Sequence, residues 1–279
     1  MRSHRGAGAR IRLRTAIVAL WLLRIGAFAL LFVPIALVIA MSFGGDAYAT
    51  FPPRSWSFKW YLNVFRRDEF VSSFLTSLAV ATVVTPISVT IGTLAAYGLW
   101  RRPGRGAGAL ESLFMSPVLL PLVVTGLAVL VFVNRVGIGT GVPAICAAHV
   151  AITFPYAFRA VLAALSRYDR RLDEAAASLK VGPVQTFWHV TLPLIRPGIV
   201  AGAMFAFVMS FDDFAATIFL IAPDTRTLPI AIYQYMEFNL DPTVSAVSSL
   251  LVVVATVGVL LVERLIGVDR FFGIRDSTR

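Results

Sequence analysis

The chain has 279 residues, of which 58% are hydrophobic and 14% charged, far more apolar than an ordinary soluble domain, and this marks an integral membrane protein. Its formal net charge is +10, but the basic residues are scattered between apolar runs, with no single basic face of the kind that tracks nucleic acid. A lone cysteine, Cys146, excludes an intrachain disulfide and a cysteine-cluster metal site.

The opening stretch MRSHRGAGARIRLR is basic and precedes an apolar run, as a secretory leader would. Residues 25–43, however, are uncharged for long enough to span and lack a small-residue cleavage site. They read as a retained first crossing behind a basic arm, residues 1–24. Further charge-poor runs follow at 71–100, 112–134, 136–158, 198–222 and 243–262. A spanning helix takes about 20 apolar residues, so each run can cross once. The expected architecture is all-α, with six transmembrane helices over residues 25–267 and a tail at 268–279.

Six crossings leave both termini on one side. With the N-terminus inside, only Arg54, Lys59, Arg66, Arg67, Arg135 and Arg226 lie outside, leaving nineteen of the 25 basic residues inside. That asymmetry is the one the positive-inside rule describes, so both termini are expected in the cytoplasm.

Between the first two crossings, Trp56, Trp60 and Tyr61 stand where an interfacial aromatic belt is expected, and residues 59–70 fit a helix lying along the outer surface. A membrane anchor accounts for these residues, and so does a docking surface for an external protein. Pro86, Pro117, Pro121, Pro143 and Pro155 punctuate the next three crossings; proline frees backbone carbonyls and bends membrane helices. His149 has no metal partner in sight and suits a helix-packing hydrogen bond better than a ligand role.

The chain's most unusual stretch is the polar insert at 166–197. Asp169 suits an N-cap, and Asp173 and Glu174 put negative charge in the first turns, where the helix dipole favours it. Ala175, Ala176 and Ala177 add helix propensity with little bulk. Gly182 followed by Pro183 reads as a break and a new helix start. Phe187 and Trp188 follow, and Leu192, Pro193 and Pro197 are expected to turn the chain back into the membrane. Large aromatics on such a loop must pack, either on the protein's own helix ends or in another subunit.

This insert resembles the EAA loop of permease subunits of binding-protein-dependent ABC importers, through Glu174, Ala175, Ala176, a following glycine and Leu192-Pro193. More narrowly, the chain resembles the spermidine/putrescine class, in the KWYLNVF segment, His149 with Phe154-Pro155, SFDDF at 210–214, and Thr227-Leu228-Pro229 followed by Tyr233. One departure is that Lys180 stands where the family's glycine usually lies, with Gly182 two residues on. The resemblance implies the type I ABC importer permease fold in a bacterial inner membrane. It implies a related permease as partner, two cytoplasmic ATPase subunits and an extracytoplasmic binding protein. The loop would enter a groove on the ATPase, which holds the ATP and Mg. This chain has no G-x-x-x-x-G-K-[ST] phosphate loop and is expected to be non-catalytic, binding no cofactor of its own.

Asp212 and Asp213 fall past the midpoint of the fifth run. An aspartate at a membrane helix centre costs roughly 2.5–3.5 kcal/mol on insertion scales, so it faces water or a partner. Neighbouring helical residues point about 100° apart, so one acid fits a route for a cationic substrate while the other bonds to a neighbouring helix or to the partner permease; a structural hydrogen bond, or a place in an outer vestibule, also accounts for them. The outer loop at 223–242 carries Asp224, Glu237 and Asp241 against Arg226, a mouth that favours cations. Permeases of similar pattern serve amino compounds, thiamine, ferric iron and phosphonates. A self-contained channel or ion-coupled carrier would leave the 166–197 insert unexplained, and a membrane enzyme would need a catalytic motif that the sequence lacks.

Overall fold

Apolar runs in lipid have one economical way to satisfy their own N–H and C=O groups, which is to become helices. The computed structural model describes residues 4–102 and 104–266, and among them regular structure is helical apart from two isolated bridges, Gly44 with Trp56 and Ala222 with Thr225. The helices are α1 (His4–Ser42), α2 (Lys59–Arg66), α3 (Asp68–Arg101), α4 (Ala107–Leu119), α5 (Leu122–Arg135), α6 (Val142–Leu165), α7 (Arg171–Ser178), α8 (Pro183–Thr186), α9 (Leu192–Asp212), α10 (Leu228–Phe238) and α11 (Thr243–Ile266). Among the described residues five helices are long and apolar enough to cross a bilayer: Ile17–Ser42, Asp68–Arg101, Val142–Leu165, Pro183–Asp212 and Thr243–Leu260. The pair α4 and α5 passes the same test jointly, and counting it as one crossing gives six. The tail expected at 268–279 lies outside the described residues.

Several boundaries differ from expectation. The first crossing belongs to a helix that already begins at His4, because nothing in the basic arm breaks it, and its apolar part starts at Ile17. The expected surface helix at 59–70 ends at Arg66. Arg67 is extended, and Asp68 and Glu69 open α3 with negative charge in its first turn. The run 112–134 is not one rod: it bends by 99° between α4 and α5. Leu120 there has φ −88° and ψ 140°, the extended conformation a residue before proline prefers, and Pro121 follows. The fourth crossing starts at Val142 instead of 136, because Gly137, Gly139 and Gly141 all take positive φ and hold the chain in turns. The outer loop at 223–242 contains a helix of its own, α10.

The structure comprises two compact units. In the first, residues 1–66 with 238–261, the chain after α1 is tied down by aromatic and polar contacts. Phe43 packs on Trp56, Phe58 and Tyr61. Tyr61 shares a 2.7 Å hydrogen bond with Ser42, and Trp60 Nε1 donates to the Gly44 carbonyl at 2.6 Å. Asn63 Nδ2 donates to Thr243 Oγ1 at 2.9 Å, fixing α2 to the start of α11. Trp56 and Phe58 remain about 70% exposed, as aromatic rings at a membrane boundary do.

The second unit, residues 67–237 with the described residues from 262 on, is organised by α3, α6 and α9, which pack mutually more than any other elements. Lipid tails are as apolar as leucine, so burial alone does not hold membrane helices together; close packing and interhelical hydrogen bonds do. At Gly92 of α3, an added Cβ would stand 2.8 Å from the backbone nitrogen of Phe158 in α6. At Gly126 of α5, it would stand 2.6 Å from the Ala216 carbonyl oxygen. One apolar cluster joins Ala96, Phe158, Val161, Leu165 and Ile195 across the three helices, and another gathers Val80, Val84, Val133, Ile145 and Leu220.

Gly126→Ala is therefore expected to force α5 away from Ala216 and cost about 1–3 kcal/mol, read as a lowered thermal unfolding temperature in detergent. Gly98→Ala, where nothing lies within 4 Å of the added methyl, should leave stability unchanged or slightly raised.

Candidate functional site: a braced helical loop and a buried polar network

The polar insert between α6 and α9 folds by its own local rules. Asp169 accepts the backbone N–H of Arg171 at 2.9 Å and so starts α7, one residue before the usual capping position. At the other end, the Lys180 N–H donates to the Ala177 carbonyl at 2.9 Å and the Val181 N–H to that of Ala176 at 3.0 Å. These are the two bonds of a Schellman ending. That motif needs a left-handed residue, and Lys180 supplies it with φ +58°. The break therefore falls at Lys180, the position where the resemblance implied a glycine. Gly182, expected to make the break, has φ −70° and ψ 157° and merely precedes Pro183 at the start of α8.

The expected turn at Leu192-Pro193 is absent. A π turn over Phe187–Thr191 joins α8 to α9, giving one unbroken run from Pro183 to Asp212. Pro193 has no N–H to offer and its ring crowds the preceding turn. Widening the helix just before it, with the Leu192 N–H reaching back to the Phe187 carbonyl, absorbs the conflict.

Faces of the insert divide cleanly. Glu174 and Ala175 are exposed while Ala176 is buried, so only one of the paired alanines is presented outward. Phe187 packs on Tyr97 of α3 with ring centroids 4.7 Å apart, whereas Leu179, Val184 and Trp188 are 79%, 69% and 59% exposed. The two roles weighed for the aromatics are thus divided between two residues: Phe187 packs at home and Trp188 faces out.

A second set of contacts, which the sequence did not disclose, braces the insert against the end of α3. The Arg170 guanidinium donates to the Trp100 carbonyl and stacks over its ring at 4.7 Å. Tyr168 meets the same ring edge-on at 5.2 Å and donates its hydroxyl to Asp173 Oδ1 at 2.8 Å. Asp173 also lies 3.7 Å from Arg101, whose guanidinium donates to the Tyr97 hydroxyl. Burial raises the Tyr168 phenol above its ordinary range, and the Asp173 carboxylate acts in the same direction, so this hydroxyl remains a donor. The only hint in the sequence was the aromatic-basic run YGLWRR closing the second crossing, which also reads as ordinary helix-end anchoring.

Asp212 and Asp213 do not lie within a helix running on to residue 222. Asp212 is the last residue of α9 and Asp213 caps it, with a 3-10 turn over Thr217–Phe219 beyond. Asp213 is buried, and its Oδ2 accepts the N–H groups of Ala216 and Thr217 at 3.2 and 2.9 Å and the Thr217 hydroxyl at 2.8 Å. His149 of α6 stands beside it, Nε2 at 2.8 Å from Thr217 Oγ1 and 3.5 Å from Asp213 Oδ2, Nδ1 at 2.9 Å from Ser210 Oγ. Thr217 has one hydroxyl proton and gives it to Asp213, so it must accept from Nε2–H. In a singly protonated ring, Nδ1 then accepts from Ser210. The chain of bonds continues through the His149 carbonyl to Thr153 and from Thr153 to Ser88 of α3, at 2.7 Å each. Asp212, by contrast, is exposed and outside this network.

Residues 88–267 match the family of binding-protein-dependent transport system inner membrane components, and the chain belongs to that family. It is accordingly a multi-pass membrane permease subunit of an ABC importer, non-catalytic, with ATP hydrolysis carried out by a separate subunit. Among its relatives, the putrescine transport system permease protein PotI of Escherichia coli K12 is 29% identical over 231 residues, 80% of this chain and 82% of that protein. The spermidine/putrescine transport system permease protein PotC of Haemophilus influenzae is 27% identical over 84% of this chain and 91% of its own. In fold, the chain resembles a bacterial ABC transporter for the acidic polysaccharide alginate at TM-score 0.73 and 17% identity, covering 93% of this chain and 97% of that one. It also resembles the MetNI methionine ABC transporter at TM-score 0.59 and 22% identity, over 71% of this chain and 95% of that one.

A left-handed lysine costs about 1–2 kcal/mol that glycine does not. Lys180→Gly should therefore slow amide hydrogen exchange across 171–181 by roughly fivefold or more, while Gly182→Ala, at an ordinary backbone geometry, should leave it within twofold.

Proposed function

We propose that this permease forms half of a translocation pathway for a small polycation of the spermidine or putrescine kind, and that the insert at 166–197 is its docking element for a cytoplasmic ATPase. The observation that carries the docking role is the division of the insert into two faces. One face is fastened to α3 through Trp100, Arg101, Tyr168 and Phe187. The other offers Glu174, Ala175, Leu179, Val184 and Trp188 outward. Exposed apolar side chains on a polar loop are a liability unless a partner covers them, and the slim Ala175 lets that partner approach closely.

On this reading both termini are cytoplasmic. The second half of the pathway is a related permease in a heterodimer, and ATP and Mg stay with the two ATPase chains. The substrate arrives from an external binding protein, the kind of partner present in an alginate transporter of the same fold captured with its periplasmic protein. The relatives named for putrescine and spermidine support the substrate class. Of the two acids, Asp212 is the one free to meet a cation, because Asp213 is committed to His149 and Thr217.

Glu174→Trp in the reconstituted importer is expected to reduce ATP hydrolysis stimulated by loaded binding protein at least tenfold without loss of membrane insertion; unchanged stimulation would remove the docking role. Asp212→Asn should lower polyamine uptake severalfold with little change in thermal stability. Asp213→Asn should instead lower the unfolding temperature, as a charged acceptor of buried N–H groups contributes about 1.5–3 kcal/mol per bond. Uptake unaffected by Asp212→Asn would take that residue off the route.

A further inference from the structure

Where α3 ends and α4 begins, the two helices leave between them an open groove of about 400 Å³. Its walls are Leu94, Leu99, Leu110 and Phe114, its floor includes Gly98, and Arg102 stands at its mouth. Residues 94 to 102 of a helix rise about 12 Å, close to the depth of one bilayer leaflet. Spread over that length, and with a water radius of about 1.4 Å added on each side to reach the wall atoms, the volume corresponds to a groove about 9 Å wide, whereas a helix with its side chains measures about 10–12 Å. The groove is narrower than a helix and wide enough for an extended hydrocarbon chain.

Charge at the mouth is one-sided. Arg101 is taken up by Asp173 and the Tyr97 hydroxyl. Arg102 and Arg105 are exposed and have no ion-pair partner among the described residues. The nearest acid in α4, Glu111, is paired with Arg159 at 2.7 Å, so it does not cancel them. An apolar slot about one leaflet deep, with Arg102 at its mouth and Arg105 in the same turn between the lining residues Gly104 and Gly106, has the chemistry to hold a lipid with one acyl chain in the slot and its phosphate on the basic turn.

We propose that this groove is a binding site for an anionic phospholipid. The site goes beyond the transport reading and does not depend on it: nothing in the argument uses the ATPase, the binding protein or the substrate. Its location gives it a consequence, since the arginine it engages adjoins Trp100 and Arg101, to which the 166–197 insert is fastened.

The test uses the assembled transporter in neutral detergent, offered phosphatidylglycerol and phosphatidylcholine in equal amounts, with retained lipid read by native mass spectrometry. The wild type is expected to retain phosphatidylglycerol about tenfold over phosphatidylcholine. Arg102→Gln with Arg105→Gln, both at exposed positions, should bring that ratio close to one. Gly98→Leu fills the slot at a position with open space around it and leaves the charges in place; it should abolish retention of both lipids. Equal retention of the two lipids by the wild type would overturn the proposal. So would a Gly98→Leu protein that keeps its preference, because the arginines would then act as a surface charge without the groove. Cross-linking of Leu99→Cys to a neighbouring subunit in place of access to lipid would overturn it as well.

Discussion

Inside a bilayer a helix may end only where something other than water takes up its freed backbone groups. The carboxylate of Asp213 is the point at which this chain meets that demand. By accepting two N–H groups and a hydroxyl from the turn that follows α9, it allows the fifth crossing to stop at Asp212 within protein. Around it, His149, Ser210, Thr217, Thr153 and Ser88 form a single file of hydrogen bonds joining α9, α6 and α3. The glycines at position 92, against Phe158, and at position 202, against Ala157, bring α3 and α9 close enough to α6 for these short side chains to reach. Close packing and polar satisfaction are here two aspects of one arrangement, and neither would hold with larger residues at those positions.

At the other end of the same three helices the physics changes from satisfaction in lipid to anchoring at a boundary. Trp100, Arg101, Tyr168, Arg170 and Asp173 combine ring stacking, a cation over a ring and a charged hydrogen bond. Each contact is modest by itself and partly exposed. Their value lies in their joint geometry, because they tie a short polar helix to the end of a 34-residue one. The loop is thereby part of the unit's frame, although its composition suggests a surface excursion.

Much of this was legible in the residues and some was not. The apolar runs disclosed the crossings, because a span needs length and lack of charge and both can be counted. Helix ends resisted reading where the decision rests with the backbone. Pro121 was visible in the sequence, yet only the structure shows the chain bending there by 99°. Gly182 looked like the break after α7, but the carbonyls of Ala176 and Ala177 select the residue that turns, and they select Lys180. The brace was hidden for another reason: Trp100 and Arg170 are 70 residues apart, and no spacing rule connects them. Nor could the two aspartates be told apart in advance, since their difference lies in what α6 places beside Asp213.

The π turn before Pro193 has a mechanical meaning. By letting the chain pass from α8 into α9 without a hinge, it makes Pro183–Asp212 a single strut of 30 residues, about 45 Å from end to end. If an element of that length turns as a unit about one end, a tilt of about 10° carries the other end through about 8 Å. The side chains at one tip are Val184 and Trp188, both exposed, and at the other is Asp212. The exposed face of the loop and the acid at the far end thus belong to one continuous helical element.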